Sequence, residues 1–103
     1  MVVLIDKGTA SASEIVSGAI RDSKRGILVG DTSYGKGSVQ VSDALSDNSH
    51  LTITIRHWNT PNGTDVHGVG LTPDIQVAFP ESDRKGGRDP QLDRAVQFLT
   101  TGQ

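Results

Sequence analysis

The stretch from Val2 to Gly30, VVLIDKGTASASEIVSGAIRDSKRGILVG, reads as strand, helix, strand. Val2-Val3-Leu4-Ile5 is a short apolar and mostly β-branched run, the composition of a strand buried on both faces. Ala12, Ile15, Val16, Ala19 and Ile20 then recur at i, i+3, i+4, i+7 and i+8, which makes an apolar helical stripe expected to face a sheet. Ser11 with Glu14 three residues on is the capping-box pattern that opens a helix. Arg21, Lys24 and Arg25 before Gly26 place basic charge and a stopping glycine at the far end. Gly26-Ile27-Leu28-Val29-Gly30 is a second buried strand. A strand, a helix and a strand in that order form the right-handed βαβ crossover of a parallel sheet, so the fold class is α/β. A first strand of that type needs neighbours on both sides, yet only Met1 precedes it. The chain is therefore expected to be an excised piece of a larger domain.

Beyond this unit the glycine-punctuated loop Asp31 to Gly37 leads into a strand at Ser38-Val39-Gln40-Val41. Leu51 to His57 alternates strictly between apolar and polar residues, which predicts a strand with one apolar and one wet face. Pro61-Asn62-Gly63 is a turn signal, preferred here over the glycosylation pattern that Asn62-Gly63-Thr64 also fits. A loop at Leu71-Thr72-Pro73-Asp74 precedes a last short strand, Ile75 to Ala78. Glu81 to Arg88 reads as a polar linker. Asp89 as N-cap and Pro90 in the first helical position then open a helix with Leu92, Ala95, Val96 and Leu99 at helical spacing. Residues 1–79 form the core of the expected organisation, and residues 80–103 add a linker and a C-terminal helix to the same domain.

Composition narrows the chemistry. With 103 residues and 34% hydrophobic content, the chain has room for one modest core. Twelve acidic against ten basic side chains, with no run of like charge, leave no footprint for nucleic acid or an anionic membrane. No apolar stretch approaches the roughly 20 residues of a membrane span. The absence of cysteine removes disulfides, thiolate zinc sites and thiol nucleophiles together. Any covalent chemistry then falls to a hydroxyl, an amine or a carboxylate.

Ser11 stands where a strand turns into a helix N-terminus, so an oxyanion formed by its attack on a carbonyl would face the Ala12 N–H and the positive end of the helix. Serine is also a common N-cap at such a place, and Ser13 competes for both roles. A serine nucleophile needs a base. His50, His57 and His67 fall in loops or on the later strand, without a Ser-x-Gly elbow and without metal-ligand spacing. Lys36 is the other candidate, flanked by Gly35 and Gly37, which allow close backbone approach. A lysine ordinarily titrates near 10.4, so service as a base demands burial; otherwise Lys36 is a solvated loop residue. Gly30 to Lys36 also matches the first seven positions of a P-loop. Gly37 stands where a serine or threonine should hold magnesium, and a strand-like segment follows in place of a helix.

Gly8-Thr9-Ala10-Ser11-Ala12-Ser13-Glu14-Ile15-Val16, followed by Tyr34-Gly35-Lys36-Gly37-Ser38-Val39-Gln40, resembles the active-site core of the C-terminal processing (tail-specific) peptidases, serine proteases with a Ser-Lys dyad. The resemblance runs on through Thr60-Pro61-Asn62-Gly63 and Gly70-Leu71-Thr72-Pro73-Asp74 to about Val77. It implies part of a crotonase/Clp-protease-like catalytic domain: a βαβ core, later antiparallel strands and a C-terminal helix. It implies Ser11 as nucleophile, Lys36 as its base, Gln40 as the residue that orients the lysine, the Ala12 N–H in the oxyanion hole, and Asp22 as a supporting residue. It implies no cofactor and no metal, a protein or peptide substrate cut near its C-terminus, and a periplasmic, extracytoplasmic or thylakoid-lumen setting. It also implies upstream PDZ and catalytic-domain segments, the latter bringing a second oxyanion donor, which are expected to be missing from this chain. Loss of one such donor typically costs about 10² to 10³ in rate, so the isolated chain is expected to be slowed by that factor or more. The competing expectation is an interaction or assembly module that keeps the fold without a competent site and self-associates through its strand edges.

Overall fold

The computed structural model describes every residue, Met1–Gln103. The elements in chain order are β1 (Val2–Ile5), α1 (Ala12–Asp22), β2 (Ile27–Gly30), β3 (Ser38–Ala44), β4 (His50–His57), β5 (Ile75–Gln76), α2 (Glu81–Lys85) and α3 (Pro90–Thr101). A three-stranded parallel sheet has the order β1-β2-β5, with Val2 to Ile5 beside Ile27 to Gly30 and Val29-Gly30 beside Ile75-Gln76. The βαβ unit is thus present as its sequence pattern predicts. β2 is the central strand, and its Leu28 and Val29 have no exposed surface. Burying such side chains stabilises the fold by about 1.5–3 kcal/mol each.

The core is small: Ile5, Leu28, Val66 and Leu71, with Val3 and Trp58 packed against it. Val66 and Leu71 arrive from the segment after β4, which is folded back by a turn in which the Gly63 N–H donates to the Thr60 carbonyl at 2.8 Å. Gly63 has φ of 83°, the conformation that the Asn62-Gly63 pair announces.

Three expectations are corrected here and a fourth, for β4, below. β1 is an edge strand and not buried on both faces: Leu4 is 42% exposed and only Ile5 is sealed. The apolar stripe of α1 does not face the sheet, since Ile15 and Val16 are exposed while Glu14, Ser17 and Gly18 turn inward. Two contacts set that rotation. Glu14 is held by the loop described below, and Gly18 lies so close to Thr60 and Leu71 that a Cβ there would fall 2.8 Å from Thr60 Cγ2. Third, the polar segment after Phe79 is not all linker, because Glu81–Lys85 forms the short helix α2.

β3 and β4 form an antiparallel hairpin with a bulge between Val39 and Gln40. Asp43, Val41, Leu51 and Ile53 share one face; Gln40, Ser42, Thr52 and Thr54 share the other. All of β4 is exposed on both faces, so the expected division into a buried and a wet side does not hold. The hairpin stands away from the body, and the molecule measures 58 × 35 × 18 Å with a radius of gyration of 16.8 Å, against about 13 Å for a compact chain of this length.

α3 lies against β1 and β2. Asp89 accepts the Leu92 N–H at 2.9 Å, Pro90 opens the helix, and Gly102 ends it at φ of 76°. Gln91 and Ala95 face inward, with the Gln91 side chain donating to the Val77 carbonyl at 2.8 Å, whereas Leu92, Val96 and Leu99 are exposed.

Candidate active site

The turn from β1 into α1 is tightly made. Asp6 accepts the N–H groups of Gly8 and Thr9 at 2.9 and 3.1 Å, and the chain reaches Ser11 with φ of 54° and ψ of −116°. This lies outside every region that L-residues favour, and such a position costs about 1–3 kcal/mol. The expected Ser11–Glu14 capping box is in place, with its two arms unequal. The Glu14 carboxylate takes the Ser11 N–H at 2.8 Å, but the Glu14 N–H, although near the Ser11 side chain, is aligned on the Ser11 carbonyl at 2.9 Å. Ser11 therefore makes no side-chain cap hydrogen bond. Ser11 thus sits at a strained strand-to-helix turn with its hydroxyl making no hydrogen bond within the protein.

Glu14 is what holds the strain. It has no exposed surface, and its carboxylate accepts from the Ser33 hydroxyl at 2.5 Å, the Gly35 N–H at 2.6 Å, the Lys36 N–H at 2.9 Å and the Ser11 N–H. Ser33 in turn accepts the Leu71 N–H at 2.6 Å, and the Tyr34 N–H donates to the Thr9 carbonyl at 2.8 Å. Burial alone would push the Glu14 carboxyl up, but the four donors outweigh it and hold the group below its ordinary value of 4.5. One carboxylate thus ties the Ser11 turn to the loop that carries Lys36. The sequence marks Glu14 only as a capping residue. Its partners lie 19 to 22 positions away, and the one available signal is a glycine-rich loop with spare N–H groups.

Ser11, Lys36 and Gln40 line a single cleft of about 440 Å³, together with Ile15, Val39 and Trp58, and with Ser38, Ser42 and Thr52 from the polar side of the hairpin. No histidine lines it. The Ala12 N–H opens α1 and makes no hydrogen bond within the protein, so it is free to donate to a negative oxygen. The Lys36 side chain is exposed, so the residues of this chain do not supply the burial that a base requires. Gln40 donates to the Thr54 hydroxyl at 3.3 Å across the hairpin and makes no hydrogen bond with Lys36. Asp22 is not brought to the cleft: it sits at the far end of α1, about 16 Å along the axis from Ser11. There it accepts the Asn62 N–H at 3.0 Å and pairs with Arg21 at 3.3 Å. The Thr60 hydroxyl is the largest influence holding its carboxyl below the ordinary 3.8, followed by burial, which opposes it, and then by Asn62 and Arg21.

The phosphate-loop reading is overturned by the same geometry. The Gly35 and Lys36 N–H groups, which a P-loop would turn towards phosphate, are taken by Glu14, and Ser38 begins a strand where a helix is required. No group of three or more His, Asp or Glu side chains comes together to hold a metal ion.

The profile of peptidase family S41 matches residues 1–77. A chloroplastic C-terminal processing peptidase of Tetradesmus obliquus is 46% identical over 77 residues, covering 75% of this chain and 17% of the relative. Among solved structures, the photosystem II D1 C-terminal processing protease superposes with a TM-score of 0.68 at 46% identity, over 74% of this chain and 20% of that one. The tricorn protease superposes with a TM-score of 0.81 at 22% identity over 95% of this chain and 10% of its own, a likeness of fold. The chain spans about a fifth of the length of such relatives. With the profile covering every residue from the first strand to the end of the parallel sheet, the chain belongs to peptidase family S41.

Proposed function

We propose that this chain carries the nucleophile, base and first oxyanion donor of a serine endopeptidase that cuts protein substrates near their C-termini. The observation that supports it most is the Ser11 turn: a strained serine at a helix N-terminus, with its hydroxyl uncommitted, sharing a cleft with Lys36. In the proposed reaction neutral Lys36 accepts the Ser11 proton as Ser11 Oγ attacks the scissile carbonyl. The Ala12 N–H and the helix N-terminus steady the oxyanion, and water then releases the acyl-enzyme. Lys36 must lose water for this role, and a peptide seated in the cleft covers it. Gln40 is assigned to orienting Lys36 once the Thr54 contact is exchanged, and Asp22 to anchoring α1. Residues 1–79 are assigned to the catalytic core and residues 80–103 to an accessory part of the same domain. The setting assigned is periplasmic, extracytoplasmic or the thylakoid lumen, the last supported by the chloroplastic name of one relative.

Cleavage of an unstructured protein, followed by mass spectrometry at pH 7 to 9, tests the reading. Fragments cut near the C-terminus should disappear in both Ser11→Ala and Lys36→Ala. Cleavage that survives in both variants overturns the assignment. A non-catalytic assembly module remains the second reading. Leu4, Val41, Ile53 and Val16 are all exposed and both sheets have open edges, so concentration-dependent self-association would favour it.

A further inference from the structure

His57 and His67 are not used by the proposed chemistry, yet their rings stack with centroids 4.2 Å apart and planes tilted by 32°. His57 is the last residue of β4, paired with Ser38 at the root of the hairpin, and the next residue, Trp58, donates its N–H to the Gly37 carbonyl at 2.9 Å. His67 belongs to the body. Its N–H is held by Asp65 at 2.9 Å, and its neighbours Val66 and Gly68 are fixed in the core and on the Gly35 carbonyl. Gly37 packs so closely on His67 that a Cβ there would lie 2.7 Å from the His67 nitrogen. The stack therefore bridges the protruding hairpin and the segment that holds the Lys36 loop.

The geometry does not suit a shared metal ion. No third metal-ligating side chain joins the two rings. It does suit a proton switch. Neutral imidazoles at this spacing attract, whereas two imidazoliums place like charges about 4 Å apart on exposed groups. Arg56 precedes His57 on β4 and Lys36 precedes Gly37, whereas the Asp65 carboxylate, which accepts the His67 backbone N–H at 2.9 Å, opposes the build-up of positive charge.

We propose that the His57–His67 stack is a pH-sensitive latch that sets the hairpin over the cleft and releases it in mildly acidic conditions, where imidazoles take up protons. Release turns Gln40, Ser42 and Thr52 away from Ser11 and uncovers Trp58, which lines the cleft and is the only tryptophan in the chain. The regulatory meaning rests on the peptidase reading, but the latch itself is measured without any catalysis.

The test is Trp58 emission from pH 7.5 to 5, with far-UV circular dichroism followed in parallel to establish that the fold persists. A red shift on acidification is expected in the unaltered chain and in His50→Gln, because His50 stands at the hairpin tip. It should be lost in His57→Gln and in His67→Gln. A red shift that persists in both of these variants, or an unaltered chain whose emission stays fixed while the fold persists, overturns the latch and leaves the peptidase assignment untouched.

Discussion

At the residue scale the decisive group is Glu14, because a single buried carboxylate satisfies three backbone N–H groups and one hydroxyl. Glu14→Gln puts an amide NH₂ against donors that need an acceptor. The expected cost is about 3 kcal/mol, the scale of leaving one or two buried donors unpaired, read as a lower urea midpoint. Its titration fixes the direction of acid sensitivity. The folded carboxyl is held below its ordinary 4.5, so its contribution is complete above that pH and fades as pH falls through the lowered folded value. Asp22 acts in the same sense below 3.8. Urea midpoints measured between pH 7 and 3 should fall on the acid side, and less steeply in Glu14→Gln. At the core, Leu28→Ala should cost about 2–5 kcal/mol, since Leu28 is fully enclosed on the central strand. Asp22→Ala, at the other end of α1, should cost about 1 kcal/mol for each hydrogen bond lost.

At the scale of elements, the relation between sequence and structure depends on range. The start of α1 is legible because capping acts within one turn, and Ser11 and Glu14 mark it; the helix stops at Asp22, short of the expected Lys24, Arg25 and Gly26, with Lys24 itself at φ of 56°. The parallel strands are legible from short apolar runs. The rotation of α1 is not, because the apolar spacing of Ile15, Val16 and Ile20 is strong, whereas the groups that turn Glu14 and Gly18 inward are Ser33, Gly35, Thr60 and Leu71, all remote in sequence. The strain at Ser11 is likewise hidden, since nothing in Ala10-Ser11-Ala12 marks a positive φ. Gly37 offers an element-scale test. Gly37→Ala would force a Cβ against the His67 backbone, with an expected loss of about 1–3 kcal/mol and a displaced hairpin, visible in the chemical shifts of β3 and β4.

At the scale of the whole molecule, only 17 of 103 residues are buried, so much of the apolar surface on α1, β1 and the hairpin is open. That pattern suits a chain spanning about a fifth of its relatives, whose remaining length is available to cover such faces. It also explains why Ser11 and Ala12 are set in place here while Lys36 stays exposed. The serine turn is made by local hydrogen bonds and one buried carboxylate, whereas desolvating an amine needs mass around it.

The most direct test of the central claim, that the Ser11 turn presents an activated nucleophile served by Lys36, is covalent labelling with a fluorophosphonate probe followed by peptide mapping. A label accumulates even where turnover is slow. The label is expected on Ser11, absent in Ser11→Ala and at least about tenfold slower in Lys36→Ala, the low end of what a general base contributes. A label on Ser13 or any other serine, or one that forms on Ser11 at an unchanged rate without Lys36, would contradict it.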